Sequence, residues 1–234
     1  MMRWGTGMEG RRIADLGDGT YRNPVLAGDF PDPTVLRDGP DYYLTTSSFD
    51  ASPGLLIHHS RDLVNWAPLT FALPRPLTTV FAVDLVKHGG RYFIYIPFIP
   101  SPWAPEFGSA ARIFVIWADR MEGPWSEPVD LGITGAIDPG HVAGEDRKRY
   151  LFLNGVRRVR LTDDGLASST DEAWWSRGHA TAVEGPDGGW WLVYHGYENG
   201  FRSLGPVESR ARTAGCCCSS TARSTSAWAG TERR

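Results

Sequence analysis

Cysteine is nearly missing from this chain of 234 residues. The three present are adjacent, Cys216, Cys217 and Cys218, so they cannot staple distant elements, and their spacing fits no common zinc pattern. No apolar run approaches the roughly 18 to 20 residues that cross a bilayer, and the start, MMRWGTGMEGRR, carries charge with no apolar stretch behind it. The expectation is a cytoplasmic protein with no membrane partner. Excess positive charge is lacking too: 24 Lys and Arg against 27 Asp and Glu leave a formal charge of -3, which argues against a nucleic-acid partner, because a phosphate backbone calls for clustered cations. No long stretch repeats apolar residues at helical spacing, and Gly89-Gly90 and Gly188-Gly189 read as hairpin turns, with no phosphate-cradling loop and helix behind them.

What the chain does have is 27 glycines, 17 prolines and 28 aromatic residues, with short β-rich runs between turn signals, which together argue for an all-β fold. Strand candidates are 42–47, 55–59, 91–98, 112–117, 150–153 and 190–195. Asp38-Gly39 precedes DYYLTTS, Gly89-Gly90 precedes RYFIYIP and Pro186-Asp187-Gly188-Gly189 precedes WWLVYH, each a turn followed by an aromatic strand. In the adjacent pair His58-His59, alternation lets only one ring face inward.

These hairpins repeat. Asp32-Pro33 leads to Tyr42-Tyr43, Asp84 to Tyr92-Phe93, Asp138-Pro139 to Arg149-Tyr150, and His179 to Trp190-Trp191, with about 50 residues from Asp32 to Asp84 and again to Asp138, the length of one β-propeller blade. A second element recurs in phase: the turn, tryptophan and proline of 60–68 return in 119–128. In a propeller the innermost strand of each blade lines one axial channel, so Asp32, Asp84, Asp138 and His179 are expected to converge on one polar pocket. Pro31 and Pro33 clamp Asp32, and Pro33 is expected to push it toward an extended backbone at the mouth of the strand Thr34, Val35, Leu36. Between Asp138 and His179 the chain reads as poor in strands, and from Pro206 onward periodicity is lost to Ala, Arg, Ser, Thr and Gly. The expected organisation is an N-terminal arm (1–20), a β-propeller domain (21–205) and a low-complexity tail (206–234).

NPVLAGDFPDPTVLRDGPDYYLTTSSF, FAVDLVKHGGRYFIYI, AIDPGHVAGEDRKRYLFLNG and GHATAVEGPDGGWWLVYHGYENG resemble glycoside hydrolase family 43 over about residues 21 to 205. The resemblance implies a five-bladed propeller, here incomplete with about four blades, and inverting hydrolysis of xylosides or arabinofuranosides, with a xylose- or arabinose-containing oligosaccharide as partner. By motif, Asp32 matches the general base and Asp138 the aspartate that tunes the acid, while Phe49, Asp84 and His179 fall where the family lines its pocket. Base and acid must flank the scissile bond with a water between them, roughly 6.5 to 9.5 Å apart. No cofactor is implied beyond a central calcium ion that some relatives hold through a histidine like His179, and the sequence shows no ligand cluster for it. The oligomeric state is not legible.

Two departures stand out. The family's acid glutamate lies in a Glu-Gly-Pro motif before the last Gly-His; here Glu184-Gly185-Pro186 follows His179 and reads as the turn of the final hairpin. Leu204-Gly205-Pro206 replaces the family's Leu-Gly-Arg and opens the irregular tail, as an out-of-frame translation would. An enzyme weakened by loss of its acid, a sugar-binding propeller without catalysis and a frameshifted fragment are the three readings this leaves.

Overall fold

Turn chemistry sets where this chain folds back. Gly89 and Gly90 have φ of 58° and 85°, the left-handed pair that a tight hairpin with right-twisting strands requires, and they join two strands paired from His88↔Arg91 to Asp84↔Tyr95. The structure, a computed structural model, describes residues 5–6, 12–75, 77, 79–100, 110–144, 146–154, 157–173, 181–184, 190–198 and 201–208, with side chains between 14 and 169. His179 lies outside the described residues.

All regular structure among the described residues is β. Strands β1 (Gly5–Thr6) and β2 (Arg12–Ile13) form a short ribbon. A first sheet holds β3 (Thr34–Asp38), β4 (Asp41–Thr45), β5 (Gly54–Ser60) and β6 (Ala67–Leu73) in that order. A second holds β7 (Thr79–Val80), β8 (Asp84–His88), β9 (Arg91–Ile99), β10 (Arg112–Ala118) and β11 (Val129–Thr134), where the long β9 pairs with both β7 and β8 on one side and β10 on the other. The third is β12 (Gly140–Ala143), β13 (Arg149–Leu153), β14 (Arg157–Leu161) and β15 (Ser168–Ala173), and the fourth is β16 (Thr181–Glu184), β17 (Trp190–Glu198) and β18 (Phe201–Glu208), both in sequence order. Each sheet is open and antiparallel between neighbours for which pairing is described.

Two expectations are corrected. The segment after Asp138 is not poor in strands: it builds the whole third sheet. Its β14 reads RRVRL, and the arginines hide an alternation in which Val159 and Leu161 are buried to 1% while their neighbours face outward. The last strand also continues through Glu208, past the expected boundary at 205. Pro206 is accommodated because β18 is an edge strand and one side needs no ladder bond.

The chain divides into two compact units, 1–43 with 59–67 and 180–234, and 44–58 with 68–179. In the first, β3 lies beside β16 and β17. In the second, the inner faces of the second and third sheets meet in a core of Phe93, Tyr95, Ile113, Val115, Leu131, Ile133, Leu151, Leu153, Val159 and Leu161. Burying side chains of this size contributes about 1.5–3 kcal/mol each, which makes this the main anchor for whatever the loops at its edge carry.

The recurring tryptophan turn is also present. Trp66 Nε1 donates to Leu63 O at 3.0 Å in one copy, and Trp125 Nε1 donates to Met121 O at 3.1 Å in the other, with Leu63 and Met121 both buried. The repeated indole fastens each turn to itself.

Candidate active site

The two Asp-Pro aspartates share a rare backbone. Asp32 has φ of 53° and Asp138 has 55°, and Phe49 has 45°. Left-handed conformations cost an L residue roughly 1–2 kcal/mol, and for a residue as bulky as Phe they are outliers. Such strain persists only where surroundings over-determine it, and it gathers at functional sites. The expected extended conformation of Asp32 is therefore corrected: Pro33 restricts it, but Asp tolerates positive φ better than most residues, and Pro31, Asp32 and Pro33 are all buried, with Asp32 9% exposed.

In the second unit, three of the sequence-derived residues are linked through a short run of chain. Phe49 exchanges two backbone hydrogen bonds with Val80, at 2.9 and 3.1 Å, and its ring meets Phe81 edge-on at 5.4 Å. Three residues on from Phe81, Asp84 opens β8, and its carboxylate accepts the backbone N–H of His141 at 2.5 Å. His141 belongs to the segment Ile137-Asp138-Pro139-Gly140-His141. Upstream of Asp138, Asn154 grips Ile137 twice: its side-chain oxygen accepts the Ile137 N–H at 2.8 Å and its own N–H donates to Ile137 O at 3.0 Å. Asp138 is thus pinned from both sides. Asp32 belongs to the first unit, at the entrance to β3.

Sequence reasoning missed the groups behind His141. Arg149, 2% exposed, donates from Nε to His141 Nε2 at 3.1 Å and from Nη2 to the Tyr95 hydroxyl at 2.8 Å, and its guanidinium lies 4.4 Å over the Phe93 ring. The Tyr95 hydroxyl donates to Gly165 O at 3.3 Å. The His141 ring stacks on Tyr95 at 5.6 Å and meets His88 edge-on at 5.8 Å. Burial, reinforced by the Arg149 charge and then by His88, holds His141 down at about 3, so the imidazole is neutral. Since Nε2 accepts from Arg149, the ring proton sits on Nδ1. Burial also lowers Arg149 and raises the Tyr95 hydroxyl. One signal was legible: in β13, burial alternates, and Arg149 occupies the inward side with Leu151 and Leu153.

Other candidates resolve simply. His58 is buried, and His59 turns outward to Asp41, its Nε2 lying 2.7 Å from the carboxylate. Glu184 ends β16, paired with Trp190 of β17. Among the described residues no group of three or more His, Cys, Asp or Glu is placed to hold a metal ion. No helix among them is long and apolar enough to cross a membrane.

Comparison with known proteins bears on this geometry. The model of glycosyl hydrolases family 43 matches residues 21–168. A xylan 1,3-beta-xylosidase of Vibrio sp is 37% identical over 143 residues, 57% of this chain and 26% of that protein. A non-reducing end alpha-L-arabinofuranosidase of Bacteroides ovatus is 35% identical over 179 residues, 67% of this chain and 34% of that one. The chain therefore spans about a quarter to a third of the length of these relatives. Among solved structures, a xylan beta-1,4-xylosidase from Bacillus halodurans shares the fold with a TM-score of 0.68 at 21% identity, covering 80% of this chain and 54% of that one. An exo-1,5-alpha-L-arabinanase from a bovine ruminal metagenomic library gives 0.61 at 16%, covering 77% and 93%.

Proposed function

This chain belongs to glycosyl hydrolases family 43, and from that membership we propose that it acts as a glycoside hydrolase on xylosides or arabinofuranosides, with Asp32 as general base and Asp138 as the aspartate that orients and tunes an acid. The observation that carries the reading is the matched left-handed backbone of Asp32 and Asp138, each inside an Asp-Pro pair at the start of a sheet's first strand. In this reading the four larger sheets are blades of an incomplete five-bladed propeller.

The chemistry follows from that arrangement. Asp32, ionised, takes a proton from a water that attacks the anomeric carbon from the face opposite the leaving group, so configuration inverts. Asp138 needs a fixed direction to act on a partner acid, and the grips of Asn154 on Ile137 and of Asp84 on His141 supply it. Phe49, held by Val80, offers a ring face to the apolar side of a sugar. Asp84 accepts the His141 N–H, and in this reading its carboxylate also meets a sugar hydroxyl.

The position of Glu184 favours a second reading. Glu184 is the last residue of β16 and pairs with Trp190, the first of β17, which supports a sugar-binding propeller that lacks its proton donor. An aryl xyloside separates the two, because its good leaving group departs without an acid. Release of the aryl group that disappears in Asp32→Ala supports the hydrolase; calorimetric binding of xylose oligomers with no aryl release supports the binding module.

A further inference from the structure

A guanidinium buried to 2% exposure is costly unless it is paired with an acid. Arg149 forms no ion pair among the described residues. Its partners are a neutral imidazole, a phenol hydroxyl, the Asp163 carbonyl at 3.4 Å and the face of Phe93. Asp164 acts on it only at longer range. A leucine or methionine would fill this part of the core at less cost, so the charge is retained for what it holds. Gly165 belongs to the same cradle: a Cβ there would fall inside the guanidinium.

We propose that Arg149 is a positioning residue for the Asp84 and Asp138 pair, acting through His141. By fixing the His141 ring against Tyr95, it sets the backbone N–H of His141 on the Asp84 carboxylate and anchors the chain three residues downstream of Asp138. Asn154 grips the loop at Ile137, on one side of Asp138, and the His141 anchor supplies a second point on the other. Arg149 serves here because its fork reaches the imidazole and the phenol at once while its face lies on Phe93, which a lysine ammonium cannot do.

The inference rests on the function proposed above, and its test reads the protein in two independent ways. In the full chain labelled with 15N, the wild-type His141 ring should show the neutral tautomer protonated on Nδ1, and its amide should exchange slowly with solvent. Arg149→Met should speed that exchange at least 10-fold and alter the tautomer ratio, with Arg149→Lys between the two. Tyr95→Phe keeps the Arg149 to His141 bond and removes only the phenol support, so it should give a smaller change in the same direction. On xylobiose, whose poor leaving group depends on the acid that Asp138 tunes, Arg149→Met should lower kcat at least 10-fold with KM within 2-fold, while turnover of an aryl xyloside changes less. A folded Arg149→Met whose His141 amide and ring signals match wild type overturns the proposal. Should Arg149→Met fail to fold, unchanged His141 signals in Tyr95→Phe overturn it instead. A wild-type chain that releases no aryl group removes the proposed hydrolase, while the His141 signals still decide the positioning.

Discussion

Replacing Gly165 with alanine tests whether Arg149 is held as rigidly as its contacts imply. At φ of 75° an alanine loses roughly 1–2 kcal/mol to backbone strain. Its Cβ would also fall under 3.0 Å from Arg149 Nη1, Cζ and Nη2, closer than real Cβ atoms come. A free arginine tip would swing aside, but this one is bonded to His141 and Tyr95. Displacing it costs two hydrogen bonds from a charged donor, at about 1.5–3 kcal/mol each. The sum is about 4–8 kcal/mol, a large share of a typical stability of about 5–15 kcal/mol. With a urea m-value of about 2 kcal/mol per M, the unfolding midpoint falls by about 2–4 M. Gly39→Ala is the control: its φ is 61° and nothing lies within 4 Å of its Cβ, so it should lose only the strain, about 0.5–1 M. Equal midpoints for the two variants would refute the claim that Arg149 is fixed.

Asp32→Ala should reduce aryl xyloside turnover about 10²- to 10⁴-fold in a stopped spectrophotometric assay. Phe49→Ala should weaken calorimetric binding of xylose oligomers about 2- to 10-fold, the equivalent of about 0.5–1.5 kcal/mol of ring contact. Asn154→Ala removes the side-chain bond to Ile137 N and should lower stability by about 1 kcal/mol in urea unfolding, while lowering kcat more than it raises KM. Burial holds His58 at about 4, and burial aided by Arg149 and His88 holds His141 at about 3, against about 6.5 for a free imidazole. The unfolded chain therefore binds more protons below pH 6.5, so this contribution to stability is complete above pH 6.5 and is lost as pH falls toward 4. Urea midpoints measured from pH 7 to 4 should decline, and His58→Phe should flatten that slope.

Much of the fold was legible because it depends on local chemistry. Gly89-Gly90 dictates a tight turn, and the aromatic run RYFIYI dictates a strand, one buried on both faces from Tyr92 to Ile96, so β8 and β9 could be placed from sequence alone. β14 was not legible in the same way: three arginines in RRVRL mask two buried positions that only pairing with β13 and β15 defines. Asp32, Asp138 and Phe49 were found through motif and resemblance, yet their shared positive φ is a property of the folded surroundings and left no mark in the sequence. The Arg149 cradle gathers Tyr95, His141 and Gly165 from three parts of the chain, and the only local clue was an arginine on the inward side of an apolar strand. His179, expected to line the same pocket, lies outside the described residues.

The anomer released first from an aryl β-xyloside, followed by proton NMR before mutarotation, tests the central claim most directly. If Asp32 activates the attacking water, α-xylose appears first in the wild type, and the signal is absent from Asp32→Ala. Release of β-xylose first, or α-xylose that persists in Asp32→Ala, would contradict it.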